Sequence, residues 1–80
     1  MTFDKVARDL SRRLARNVAR LRAQQGLTLM NLAARADLHL RHLQKIEAGE
    51  SNATLVTIAR LAKGLGVDPS VLTARPPSGK

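Results

Sequence analysis

Apolar residues recur at steps of three and four along most of the chain, and helix-stopping or helix-starting residues interrupt them at regular intervals. That pairing leaves little room for anything but a set of short helices. Phe3, Val6, Leu10, Leu14, Val18 and Leu21 form one stripe over residues 3–25, with Lys5, Arg8, Arg12, Arg13, Arg16 and Arg20 on the other side. The stretch reads as one long helix or as a short one restarting at Ser11, and Gly26 ends it in the left-handed conformation that glycine accepts. Thr28 reads as the N-cap of a short helix through about Arg35 that buries Leu32 and Ala33. Asp37 stands in the following turn, as one of the few non-glycine residues that tolerate a positive φ.

The segment LHLRHLQKIEAGESN, residues 38–52, changes rhythm partway. It opens in strict alternation, which suggests a strand, and then steps from Leu40 to Leu43 to Ile46, which suggests a helix face. As a helix it begins at Asp37 or His39, runs through Ala48 and stops at Gly49. Thr54 caps a fourth helix that buries Leu55, Ile58, Leu61, Ala62 and Leu65 and ends near Gly66. Asp68 followed by Pro69 starts a last short helix holding Val71 and Leu72. Residues 1–73 are therefore expected to form one all-α domain of five helices with an extended first helix. The tail 74–80, ARPPSGK, has no core residues and is expected to be disordered.

Composition narrows the partner. Fourteen Lys and Arg against six Asp and Glu leave a net charge of +8 in 80 residues, a balance that points to a polyanion. Phe3 is the one aromatic residue, so the stacking platforms that bind single-stranded nucleic acid are missing. A duplex approached through hydrogen bonds and phosphate contacts fits. Cysteine is absent, which excludes disulfides and thiolate metal sites. No apolar run approaches the ~18 residues of a membrane span, and residues 1–13 lack a signal-peptide core, so a soluble, cytoplasmic protein is expected.

No catalytic constellation can be drawn: there is no phosphate loop, no paired carboxylates and no Ser/His/Asp set. His39 and His42 share a helix face at i, i+3, but a metal site needs further ligands, and only Asp37 and Glu47 stand nearby. Neither a metal nor a cofactor is expected.

Two short helices joined by a four-residue turn inside a basic five-helix chain make a helix-turn-helix. LARNVARLRAQQGLT, NLAARADL, HLQKIEAGESN and TLVTIARLAKGLGVDPSVL, in that order and spacing, resemble the Xre/Cro-type domain of phage repressors over about residues 14–72. The extra turns at 3–13, the small size and the N-x-T-L at 52–55 resemble the restriction–modification controller proteins within that family. The resemblance implies double-stranded DNA as partner, with the second helix of the motif in the major groove. Leu40, Arg41, Gln44 and Lys45 would then face the bases, with Thr28, His39, His42 and Asn52 at the backbone or margin. Leucine can lie against a thymine methyl, Arg41 can take guanine and Gln44 adenine. The resemblance also implies an Arg22–Glu47 ion pair, and Arg22 does sit nearer the apolar stripe than its basic neighbours. A homodimer through Leu65, Val67, Val71 and Leu72 is implied as well.

Three departures weaken the expected grip on the phosphates. Where relatives carry a phosphate-binding glutamine the chain has Leu29, Asn31 replaces the usual capping-box glutamate, and the commonly basic loop reads Ala48, Glu50, Ser51. These departures also suit a second reading from another class, a helix-turn-helix used for protein contact, as in an antitoxin that neutralises a protein partner.

Overall fold

A computed structural model describes residues 2–50 and 52–77, with the side chains of Thr2 and Phe3 left out. Phe3's place in the stripe, Ser51 and the tail beyond Pro77 thus lie outside the described residues. Five helices follow in chain order: α1 Thr2–Gln24, α2 Leu29–Ala36, α3 Leu40–Glu47, α4 Leu55–Leu65 and α5 Pro69–Thr73. Among the described residues there is no strand. α1 is continuous through Ser11, so the restart alternative falls. α2 runs one residue further than Arg35, which shortens the turn of the motif to residues 37–39.

Capping accounts for the starts. The Thr28 hydroxyl accepts from the Asn31 amide at 3.0 Å and the Thr54 hydroxyl from the Thr57 amide at 3.1 Å. The Asp68 carboxylate accepts from the Ser70 amide at 2.8 Å, with Pro69 as the first helical residue. His39 is the N-cap of α3 without lending its side chain to the cap. Helix ends share a second device, a left-handed residue whose successor donates to the carbonyl five residues back. It operates at Gly26, Asp37, Gly49 and Gly66, through Leu27 to Arg22, Leu38 to Ala33, Glu50 to Lys45 and Val67 to Ala62. Asp37, at φ 55°, is the one non-glycine residue with positive φ among the described residues.

All five helices feed one core. Leu14, Val18 and Leu21 from α1 meet Leu32, Ala33 and Ala36, Leu43 and Ile46, Leu61, Ala62 and Leu65, and Leu72. α2 and α4 approach most tightly at Gly64, where an added Cβ would stand 3.0 Å from both the Cβ and the backbone nitrogen of Ala36. Leu55 departs from expectation: it is 85% exposed. It lies on the same side of α4 as Ile58 and Ala62, but at the first helical position, ahead of the first buried residue of the helix, Thr57. The stripe of α1 is likewise buried only from Leu14 onward, with Val6 and Leu10 in contact with solvent. Leu65 and Leu72 are consumed by the chain's own core, so of the four expected interface residues only Val67 and Val71 offer any surface.

Candidate nucleic-acid interface

The α2–turn–α3 unit is set by what α3 buries. Leu43 and Ile46 are 0% and 1% exposed, which turns the opposite side of the helix outward. Leu40, Arg41, Gln44 and Lys45 are all exposed, on that outward side, at spacings of one, three and one. Beside them His39 is exposed and His42 half-buried, and these two histidines with Arg41 and Lys45 line a shallow concavity. The surface thus offers a guanidinium, an ammonium and an amide, with one leucine among them. Those are the groups that can address base edges: a fork for guanine, an amide for adenine and a methyl-sized contact for thymine.

Arg22 fixes the angle at which this helix is presented. Its Nε donates to Glu47 Oε2 at 2.7 Å and its Nη2 to Glu47 Oε1 at 3.1 Å, a two-pronged pair between α1 and the last turn of α3. Nη1 donates to the Leu27 carbonyl at 2.9 Å, tying in the turn that leads to α2. The hydrogen bond and charge of Glu47 hold the Arg22 pKa above its ordinary value, against the desolvation that works the other way. Both side chains are mostly covered, so the attraction is only weakly screened.

The margin residues differ more from expectation. The Thr28 hydroxyl donates to Asn31 Oδ1 at 2.7 Å while capping the Asn31 amide, so its proton is already spent within the motif. Asn31 completes this reciprocal cap from its side chain, a role in keeping with its place three residues after the N-cap. Leu29 is half-buried against the core. Asn52 is exposed and lines a groove with Leu10, Ser11 and Ala53. No group of three His, Asp or Glu residues able to hold a metal ion occurs among the described residues.

Asn17 is a site residue that sequence reasoning did not single out. It is 1% exposed, and its Nδ2 donates to the carbonyls of Leu72 at 2.9 Å and Ala74 at 2.8 Å, fastening α5 to α1. Arg20 Nη2 donates in turn to its Oδ1 at 3.2 Å. The signal was its position among Leu14, Val18 and Leu21 on a single helical face.

Comparison with known proteins agrees with this geometry. The helix-turn-helix family model matches residues 18–72. An uncharacterized HTH-type transcriptional regulator, y4dJ, of Sinorhizobium fredii is 37% identical over 59 residues, covering 74% of this chain and 77% of the relative. The restriction-modification controller protein C.AhdI from Aeromonas hydrophila superposes with a TM-score of 0.75 at 29% identity, over 78% of this chain and 94% of that one. A hypothetical transcription factor, NHTF, from Neisseria superposes with a TM-score of 0.80 at 28% identity, over 84% of this chain and 77% of that one. With the family model spanning the last two turns of α1 through Leu72 of α5, and with α2 and α3 disposed as described, this protein belongs to the Xre/Cro-type helix-turn-helix family of DNA-binding domains.

Proposed function

We propose that the chain is a sequence-specific DNA-binding transcriptional regulator that acts as a homodimer on a pseudo-palindromic operator, in the manner of a controller or autorepressor. The observation that carries this reading is α3: Leu43 and Ile46 lock one side into the core while Leu40, Arg41, Gln44 and Lys45 stand exposed on the other. Similarity to a transcriptional regulator and to a restriction–modification controller supports it. A single short helix reads few base pairs, so two copies on half-sites about 34 Å apart would supply usable specificity. The cytoplasm is the proposed location, and no helix among the described residues is long and apolar enough to cross a membrane.

Selection of binding sites from a random duplex library tests the assignment. Arg41→Ala is expected to relax preference at one base pair and to weaken the preferred site by ~1–3 kcal/mol. Arg16, on α1, can at most reach phosphate, and Arg16→Ala is expected to keep the selected motif. If the Arg41 variant returns the wild-type motif unchanged, α3 does not read bases through that residue.

A second reading, contact with a protein partner, draws on Met30, which is 70% exposed on α2, within the motif itself. A wild-type chain that selects no motif and shows no salt-dependent binding to duplex would favour it.

A further inference from the structure

We infer that the amino-terminal half of α1 is a second contact to the DNA backbone, in which Arg8 and Arg12 hold phosphates that the loop after α3 cannot. The inference rests on the DNA-binding reading above and adds residues and a ligand group to it. The first observation is a deficit around the reading helix. Residues 48–53 contain no cation, and Glu50 is exposed there, where it repels phosphate. At the start of α2, Leu29 is turned to the core and the Thr28 hydroxyl proton is committed to Asn31.

The second observation is what lies beside that loop. A Cβ built on Gly49 would stand 3.9 Å from Arg12 Cγ and 4.0 Å from Ala15 Cβ, so α1 passes directly under the end of α3. Residues seven apart on a helix share a face, two turns on. Arg22 meets Glu47 and Ala15 meets Gly49, and Arg8 continues that same line outward from the loop. Arg12 is one turn from Arg8 along the same flank. Both arginines are exposed, and neither has an ion-pair partner among the described residues. Arg13 differs on both counts: it is half-buried and its Nη2 is 3.1 Å from Asp9 Oδ2.

Chemistry favours phosphate as the ligand. A guanidinium presents paired donors that match two phosphate oxygens, and each phosphate neutralised releases condensed counterions. Arginines on a helix flank that contains no base-reading surface would contribute to every duplex alike.

Fluorescence anisotropy over about 50–200 mM salt tests this, with two labelled duplexes: the sequence upstream of the protein's own gene and a scrambled version. The Arg8→Ala/Arg12→Ala double variant is expected to bind both roughly tenfold more weakly at ~100 mM salt and to lower the log–log salt slope by about 1.8. The ratio of affinities for the two duplexes should stay that of the wild type. Arg13→Ala removes the same charge from a neighbouring arginine already paired with Asp9 and should leave the slope unchanged. Replacing both Arg8 and Arg12 by lysine should retain most of it. Because the Arg12 stem packs near Gly49, Arg8→Ala alone serves as a second probe, with a slope lower by about 0.9. An unchanged slope in the Arg8 variant and the double variant, with the wild type binding normally, overturns this contact and leaves the DNA-binding reading standing. An equal loss in Arg13→Ala overturns it as well, since net charge would then explain the effect. A wild type that binds neither duplex removes both proposals together.

Discussion

Arg22 illustrates how one side chain can set the geometry of a whole motif. Its three donors join α1, the α1–α2 turn and the end of α3, and they leave the Glu47 carboxylate paired on both oxygens. Removing the anion leaves a mostly covered guanidinium with a single acceptor, so Glu47→Ala is expected to destabilise the fold by about 3 kcal/mol. A thermal melt reads this directly, and an unchanged Tm would deny the pair any structural weight. The Arg22–Glu47 pair was legible through the family resemblance, which the place of Arg22 close to the apolar stripe supported. Asn17 was not, because an amide inside such a stripe resembles an interruption until the carbonyls it serves are placed. Those carbonyls lie 55 and 57 residues away, beyond any local pattern. Leu55 misled for the converse reason: periodicity gives the side of a helix, not whether anything covers that end of it.

Helix limits were the most readable feature at the scale of elements, since they depend on neighbours in sequence. Thr28, Thr54 and Asp68 cap where the pattern placed them, and Gly26, Asp37, Gly49 and Gly66 close the turns. How helices pack was less readable, and Gly64 shows why. Within a helix, Gly→Ala ordinarily stabilises by up to about 1 kcal/mol. Here the new methyl would sit 3.0 Å from Ala36 on α2, backbone included. Gly64→Ala is therefore expected to destabilise by about 1–3 kcal/mol in chemical denaturation, with the overpacking outweighing the helical gain. A more stable variant would show that α2 can yield at no cost. The cap of α5 carries a pH dependence. Hydrogen bonds from the Ser70 hydroxyl and then its backbone amide hold the Asp68 carboxyl below its ordinary pKa, so the folded state favours the anion. Its contribution is complete above the unfolded value of about 3.9 and disappears as pH falls through the lower folded value. Amide exchange in α5 should thus accelerate below about pH 4 more in the wild type than in Asp68→Asn, which still offers Ser70 an acceptor. Equal acid sensitivity in the two proteins would assign the effect to other carboxylates.

For the molecule as a whole, the five-helix architecture was legible from periodicity and punctuation, while the surfaces it leaves open were not. Leu65 and Leu72, which the resemblance assigned to a dimer interface, are core residues, leaving Val67 and Val71 partly covered at the edge of α5. If that edge joins two copies, Val71→Asp is expected to sediment as a monomer, with near-native circular dichroism and weakened operator binding. A wild type that stays monomeric at micromolar concentration, with and without DNA, would count against the dimer.

The fastening of α5 by Asn17 has a mechanical consequence for such a dimer. α1 grips α5 through Asn17 and, five residues further on, grips α3 through Arg22. The valine edge and the reading helix are therefore mounted on one strut, with no jointed linker between them. A pair of copies joined at α5 would then behave as a caliper with a fixed opening. Two half-sites would have to match that opening in both distance and helical phase, so a base pair inserted or removed between them is expected to weaken the binding of such a dimer.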